Sequence, residues 1–172
     1  IRDKLVTGVQ TCALPISHST IKVKVEKTGK AVVLEKQLDT SWDITRHFEF
    51  DAGYDVRAAI YEPRTLFAKT YAMIPIGLKF EILDPYWEIQ VRSRSGLAAK
   101  HGIFVLNSPG TIDYAYRQEV QVILFNNGSK DFVINPGDRI AQICVRPVPQ
   151  VDFIYGQVEE TLRGGFGSSG VS

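Results

Sequence analysis

Several features that would assign a class of protein are scarce in these 172 residues. Only two cysteines, Cys12 and Cys144, are present, which is too few for a disulfide framework, and nothing else indicates an oxidising compartment. Apolar runs such as 120–125 are far shorter than the roughly 20 residues of a membrane-spanning helix. We therefore expect a cytoplasmic protein without a membrane span.

A surplus of charge is also absent, since 20 lysines and arginines face 19 aspartates and glutamates. The net charge of +1 gives no long-range attraction to nucleic acid or to an anionic membrane, and we expect neither as a partner. The three histidines are scattered without cysteines at metal-ligand spacing, and the serine-hydrolase and P-loop signatures do not occur. Any recognition of phosphate must therefore be local.

Short strand-like runs dominate the chain from Ile21 onward. Runs at 21–25, 88–91 and 120–125 have the two-residue period of strands or are continuously apolar. Turn signals such as Asn135-Pro136-Gly137 separate runs of this kind at close intervals. Many short strands with frequent turns predict an all-β barrel or sandwich.

Three other segments are set apart by composition. A single short helix is predicted at 94–100, where a leucine and two alanines follow Ser95 as its cap. Residues 1–17 differ in character from the rest of the chain, and we expect them to be a non-native or disordered segment. We expect one β-domain over 18–158 and a flexible arm over 159–172, because glycine and serine fill the end of the chain.

Three segments could carry chemistry, and each has a structural interpretation as well. The tail 163–170 combines an arginine, glycines and serines that suit phosphate with Phe166 for stacking on a base, although such tails can also be merely mobile. Arg94-Ser95-Gly96 could form an anion site or an ordinary helix cap. Asp113 could be a general base or a turn residue bonded to its own backbone.

In combination, these segments occur in the order of the motifs of the dUTPase family, which the chain resembles from about Ile21 to its C-terminus. The five matching segments are Ala52-Gly53-Tyr54-Asp55-Val56-Arg57-Ala58, the stretch from Arg94 to Ile103, the stretch from Leu106 to Arg117, Pro136-Gly137-Asp138-Arg139-Ile140-Ala141-Gln142, and the glycine-rich tail with Phe166. The resemblance implies a jelly-roll-like β fold assembled as a homotrimer, with each active site built from all three subunits. It also implies hydrolysis of dUTP to dUMP and diphosphate, which supplies dUMP for thymidylate synthesis and keeps uracil out of DNA.

The same resemblance implies a role for individual residues. Asp113 is expected to activate the attacking water, and Tyr116 to pack on deoxyribose where a 2′-hydroxyl would not fit. Residues implied to contact uracil and deoxyribose are Asn107, Gly110, Ile112, Tyr116 and Phe166. Those implied to contact phosphates are Arg94, Ser95, Gly96, Gln142, Arg163, Gly167 and Ser168. Asp55 and Asp138 are expected to support the site, and Mg²⁺ to be held by the substrate phosphates and water without a direct protein ligand.

Two alternatives stay open beside this interpretation. A dCTP deaminase would resemble the same family in fold and trimeric assembly but would release ammonia from cytosine. A dUTPase-like nucleotide-binding regulator would bind without hydrolysis. The run from Ile112 to Arg117 and the aromatic tail favour a dUTPase, and the presence of Asp113 and Ser95 argues against a loss of hydrolysis.

Three positions depart from the usual motif pattern. Ser93 stands where the family often has proline, Ala115 where a second acidic residue is usual, and Gln118 where glycine is usual. The glycine position could require a positive φ, which glutamine adopts at a cost of about 1 kcal/mol or more.

Overall fold

The structure is a computed structural model that describes residues 20–159. These residues form mainly β-strands, with two helices, α1 (Gly29–Gln37) and α2 (Ser95–His101). The strands are β1 (Val23–Lys27), β2 (Tyr54–Arg57), β3 (Arg64–Leu66), β4 (Tyr71–Pro75), β5 (Leu78–Ile82), β6 (Trp87–Arg92), β7 (Ile103–Val105), β8 (Gly110–Ile112), β9 (Gln121–Asn126), β10 (Phe132–Ile134) and β11 (Arg139–Pro147). The all-β prediction is confirmed. Neither helix of this described part is long and apolar enough to cross a membrane.

The strands pair antiparallel in four sheets that surround one apolar core. The largest sheet has the order β2-β11-β6-β8, and the others are β4-β9-β7, β1-β5 and β10-β3. Within the largest sheet, Gln142 of β11 lies opposite Asp55 of β2 on one side and Arg92 of β6 on the other. The long strand β11 therefore brings the segments around β2 and β6 side by side.

Side chains alternate between the core and the surface along the strands. On β9, Val122 and Leu124 are buried, whereas Ile123 and Phe125 are only partly buried on the opposite face. This is the two-residue period of a strand with one face against a core. Each fully buried aliphatic side chain of this size stabilises the fold by about 1.5–3 kcal/mol.

Helix α1 was not predicted, so the expectation of a single helix is wrong. The Thr28 hydroxyl caps it by accepting a hydrogen bond from the Ala31 amide at 3.4 Å, and the helix buries Ala31 and Leu34 against the sheets. Only these two residues, three positions apart, are fully buried, while the adjacent Val32 and Val33 are exposed. Such a short apolar run does not distinguish a helix from a strand by its period.

Close packing fixes α1 on the sheets. Gly77 adopts a φ of +72°, and a Cβ atom there would lie 2.7 Å from the Cβ of Ala31. Only glycine therefore allows the helix to approach this closely.

The prediction of a short helix at 94–100 is confirmed by α2, whose range of 95–101 is shifted by one residue. It ends at Gly102, whose φ of +70° forms a left-handed cap. The predicted serine cap is wrong: Arg94 occupies the cap position without a side-chain hydrogen bond. Ser95 is already the first helical residue, where its hydroxyl cannot accept from the first-turn amides as a capping side chain does.

Candidate active site

Four polar side chains converge on one side of the largest sheet, centred on Asp55. One carboxylate oxygen accepts from Arg94 Nε at 3.1 Å and from Gln142 Nε2 at 3.2 Å. The other lies 3.0 Å from Arg139 Nη1. We call Asp55, Arg94, Arg139 and Gln142 the arginine cluster. The structure thus brings together the predicted phosphate residues Arg94 and Gln142 and the predicted supporting residue Asp55.

Positive charge exceeds negative charge around this cluster. The Asp55 side chain is 19% exposed and already contacts two guanidinium groups. A third guanidinium, that of Arg57, lies nearby and donates to the Gly137 carbonyl at 2.9 Å. Burial, and next the charge of Arg139, lower the pKa of Arg57 below its ordinary value. Like charges held this close favour binding of an anion.

Asp138 supports the cluster through the backbone. Its carboxylate accepts from the Asn135 amide at 2.8 Å, which closes the turn before β11. The carbonyl of Asp138 accepts from Ala58, and the Gly137 amide donates to the Ala58 carbonyl. The turn is thereby attached to the end of β2.

Ser95 and Gly96 lie beside Arg94 at the start of α2, and both are exposed. A Cβ atom on Gly96 would meet nothing within 4 Å, so packing in the described part of the chain does not require glycine there. The residue before Arg94 also has a structural place: the Ser93 hydroxyl accepts from the Val105 amide at 2.9 Å. This hydrogen bond fixes the residue before the N-cap of α2 against strand β7.

Four predicted nucleoside residues, Asn107, Gly110, Ile112 and Tyr116, gather at a second location, on and after the turn between β7 and β8. Asn107 lies in this turn, and its side-chain nitrogen is 3.3 Å from where a Cβ atom of Gly110 would be. A side chain at position 110 would therefore crowd the Asn107 amide in this turn. A concavity of about 160 Å³ is lined by Gly110, Ile112 and Tyr116 among other residues.

Asp113 follows the last residue of β8 and is exposed. Its backbone carbonyl accepts from the Tyr116 amide at 3.0 Å, and the Tyr116 hydroxyl donates to the Glu119 carbonyl at 3.1 Å. Within residues 20–159 the Asp113 carboxylate makes no hydrogen bond or ion pair. Gln118, in the same loop, does not have a positive φ, so the strain considered for this position is absent.

The two locations are separated within one chain. Ile112 lies opposite Ile89 of β6, whereas Gln142 lies opposite Arg92 on the other side of β6. Three residues along the strands and two strands across correspond to about 14 Å, at about 3.3 Å per residue and about 4.8 Å per strand. Asp113 follows Ile112 in the direction away from Arg92. The sheet therefore does not bring Asp113 to the arginine cluster of its own chain.

Other predicted groups lie outside the described residues, namely Arg163, Phe166, Gly167 and Ser168 of the tail and the segment 1–17. Sequence reasoning assigned no role to Arg57 and Arg139, although both stand inside quoted motif segments. The register of β2 and β11 places both arginines beside Asp55, and the motif segments alone do not show this. Within residues 20–159, no three His, Cys, Asp or Glu side chains converge as a metal-binding group.

Similarity to known proteins identifies the family of the chain. A model of the dUTPase family matches residues 39–170. The chain belongs to the dUTPase family. Deoxyuridine 5′-triphosphate nucleotidohydrolase of Chlamydia pneumoniae is 54% identical over 125 residues, covering 70% of this chain and 86% of the relative. The corresponding protein of Chlamydia caviae is 48% identical over 141 residues, covering 78% and 95%.

Solved dUTPase structures share the fold at lower identity. A mutant dUTPase of Staphylococcus bacteriophage 80alpha, solved with dUpNHpp, has a TM-score of 0.71 at 21% identity and covers 88% of this chain and 100% of its own. A mutant dUTPase from phage phi11 of S. aureus, described for its coordination of a structural Mg(II) ion, has a TM-score of 0.64 at 21% identity and covers 83% and 99%. The jelly-roll-like fold expected of a dUTPase is confirmed.

Proposed function

We propose that this member of the dUTPase family hydrolyses dUTP to dUMP and diphosphate. The observation that carries the proposal is the convergence of Arg94, Gln142 and Arg139 on Asp55, which forms a half-buried cationic surface suited to a triphosphate. The sequence relatives named as deoxyuridine 5′-triphosphate nucleotidohydrolases support dUTP as the substrate.

Asp113 is the general base of the proposed reaction. Its exposed carboxylate carries no hydrogen bond within the described residues and can accept a proton from a water molecule. The water oxygen adds to the α-phosphorus, and the bond from that phosphorus to the bridging oxygen breaks. The electron pair leaves with diphosphate, while dUMP keeps the new oxygen.

The phosphate residues orient the chain of phosphates for this attack. Arg94 and Gln142 are held by Asp55 before substrate binds, so little side-chain entropy is lost on binding. Ser95 contributes a hydroxyl near the bridge between the α and β phosphates. Gly96 leaves room for close approach, since nothing within the described chain fills that space.

The nucleoside residues select deoxyuridine. Asn107 and the tight turn to Gly110 hold the uracil edge and leave no space for the 5-methyl group of thymine. Ile112 and the Tyr116 ring line the adjoining concavity, in which the ring excludes a ribose 2′-hydroxyl. The exocyclic amine of cytosine would leave buried polar groups unpaired.

Mg²⁺ is the proposed cofactor, held through substrate phosphates and water. Both oxygens of Asp55 already accept from Arg94, Arg139 and Gln142, and no cluster of three candidate ligands occurs in residues 20–159. These residues fit a metal that keeps most of its water and phosphate ligands rather than a protein cage. When bound, the ion supplies neutralisation of the triphosphate charge.

A homotrimer with shared active sites completes the proposed assembly. The separation of about 14 Å between the two locations in one chain supports a second copy as the source of Asp113 for each arginine cluster. A partly exposed apolar strip on the β4-β9-β7 sheet offers a surface for association. Tyr71 pairs across it with Phe125, whose ring lies 5.5 Å from that of Phe104.

The ends of the chain have proposed roles as well. We assign the β-domain to 18–158 and a closing arm to 159–172, with residues 1–17 outside the functional unit. In the arm, Phe166 stacks on uracil, and Arg163, Gly167 and Ser168 contact phosphates, which excludes bulk water.

The test is product analysis with dUTP, dTTP, dCTP and UTP in parallel, in the presence of Mg²⁺. Release of dUMP and diphosphate from dUTP, with the other three nucleotides turned over at least about 100-fold more slowly, is the expected result. Ammonia released from dCTP would replace the proposal by a deaminase. Tight binding of dUTP without products would replace it by a nucleotide-binding regulator.

A further inference from the structure

A second polar concavity, of about 220 Å³, adjoins the arginine cluster. One wall comes from the segment between α1 and β2, and the other wall comes from the site itself. Its lining includes the side chains of Asp43, Arg46, Asp55, Arg57 and Arg139. We call this concavity the basic pocket. Arg139 also lines a separate concavity with Arg94 and therefore lies between the two.

The segment that forms the outer wall is anchored to the domain on one side. Trp42 is 2% exposed, and its indole N–H donates to the Ile76 carbonyl at 3.0 Å. Its backbone amide donates to Glu35 of α1, also at 3.0 Å. Leu38 packs against the turn before β11, since a Cβ atom on Gly137 would lie 2.9 Å from Leu38 Cδ1. These contacts hold the start of the segment in place beside the arginine cluster.

Arg46 is held over the strand that carries Asp55. Its guanidinium carbon lies 4.9 Å from the centroid of the Tyr54 ring, and Nη1 donates to the Glu49 carbonyl at 2.8 Å. A cation stacked on an aromatic ring in this way keeps its remaining N–H groups available for an anion.

The cations of the basic pocket lack enough carboxylate partners in the described part of the chain. Asp55 is engaged by Arg94 and Arg139, and Asp43 forms an ion pair with Lys27 at 2.9 Å. Arg46 and Arg57 form no ion pair within residues 20–159 and bond only to backbone carbonyls. Gathering like charges costs free energy that a bound anion would recover.

Resting on the proposed function, we propose that the basic pocket binds the terminal phosphate of the nucleoside triphosphate, with Arg46 as a phosphate-binding residue. The pocket continues from the arginine cluster, so a triphosphate held by Arg94 can extend past Arg139 into it. Diphosphate free in solution has the same chemistry and is the competing occupant.

The experiment compares Arg46→Gln with Lys36→Gln, which removes the same charge from exposed α1 outside the pocket. Calorimetry gives the Kd of dUMP, of dUpNHpp and of inorganic diphosphate for each protein. Arg46→Gln should weaken dUpNHpp about tenfold, as expected for loss of one charge-assisted contact, and leave dUMP unchanged. Lys36→Gln should change neither, and Arg46→Lys should recover part of the lost affinity.

Three results would overturn the assignment. Equal weakening of dUMP and dUpNHpp would mean that Arg46 acts on the whole site rather than on the terminal phosphate. Unchanged dUpNHpp binding would remove Arg46 from recognition, and weakening of diphosphate alone would assign the pocket to the free anion. Failure of the wild-type protein to form dUMP from dUTP overturns the proposed function instead, and leaves these binding ratios to decide the pocket separately.

Discussion

The two parts of the candidate site are built differently within one chain. The arginine cluster is assembled from β2, β11 and the start of α2, and its members are joined by side-chain hydrogen bonds of 3.0–3.2 Å. The nucleoside residues lie on a hairpin on which Asn107, Asp113 and Tyr116 are exposed, and the Asp113 carboxylate makes no hydrogen bond in the described part of the chain. Within the described residues, one copy therefore assembles the arginine cluster, whereas the sheet does not bring Asp113 of the same copy to it.

The largest expected effect comes from Asp113, on the hairpin that carries the nucleoside residues. Asp113→Asn removes the proposed base, and kcat should fall by about 10²- to 10⁴-fold, the usual contribution of general base catalysis. The Kd of dUpNHpp should change by less than about threefold, because the phosphates bind elsewhere. Steady-state kinetics and calorimetry measure the two quantities. Asp152→Asn, also exposed, is the matched control and should behave as wild type.

The second largest effect is expected in the arginine cluster. Asp55→Ala leaves Arg94 and Arg139 without their shared carboxylate, and we expect KM for dUTP to rise about 10- to 30-fold. Because these residues act together, the double variant Asp55→Ala/Gln142→Ala should lose less than the sum of the two single losses. Strict additivity of the free energies would show that the cluster is not a unit and would remove the contrast between the halves.

A smaller effect is expected from Tyr116→Ala, on the same hairpin as Asp113. Removal of the ring opens space for a 2′-hydroxyl, and the ratio of kcat/KM for dUTP to that for UTP should fall about tenfold. Combined with Gln142→Ala, the effects should be additive, since the two side chains share no contact. A non-additive result would indicate that the two side chains do not act independently on the bound substrate.

The smallest expected effect concerns the stability of the fold at acid pH and the ion pair between β1 and α1. Lys27 donates to Glu35 at 2.8 Å; this bond first, and next the Trp42 amide, lower the pKa of Glu35 below its ordinary value of 4.5. A lowered folded pKa gives a stabilisation that is full above the ordinary value and is lost as pH falls through the folded value. Lys27→Met should therefore be less stable than wild type near neutral pH.

This difference in stability should shrink once the pH falls below about 4.5, where Glu35 of the unfolded chain begins to take up its proton, and should keep shrinking down to the lower pKa of the folded state. Urea unfolding of both proteins at several pH values measures it. Lys22→Met, at an exposed position, serves as the control. A difference that stays constant across the acid range would contradict the role of the ion pair.

The sequence predicted the strands where their period was clear and missed what depends on tertiary contacts. Strand-like runs such as 88–91 and 120–125 became β6 and β9 because each buries alternate residues. Helix α1 was missed because its burial rests on Ala31 fitting over Gly77, a contact between residues 46 positions apart. The role of Ser95 as a cap was wrong by one residue, within the usual uncertainty of helix ends.

For the site, the resemblance named the residues and the structure supplied their relations. Arg94, Gln142 and Asp55 were chosen from separate motifs, and the register of β11 explains why they meet. The position of Arg46 beside them could not be predicted, because it depends on the path of the segment after α1. No motif includes that segment.

Mixing two inactive variants tests most directly whether the halves meet between copies. Asp113→Asn keeps an intact arginine cluster, and Arg94→Gln keeps an intact Asp113. If each site joins the two halves from different copies, trimers reassembled from equal amounts should regain about a quarter of wild-type dUTP hydrolysis, since each mixed trimer contains one intact site. Activity no greater than that of either variant alone would contradict the account and return both halves to a single chain.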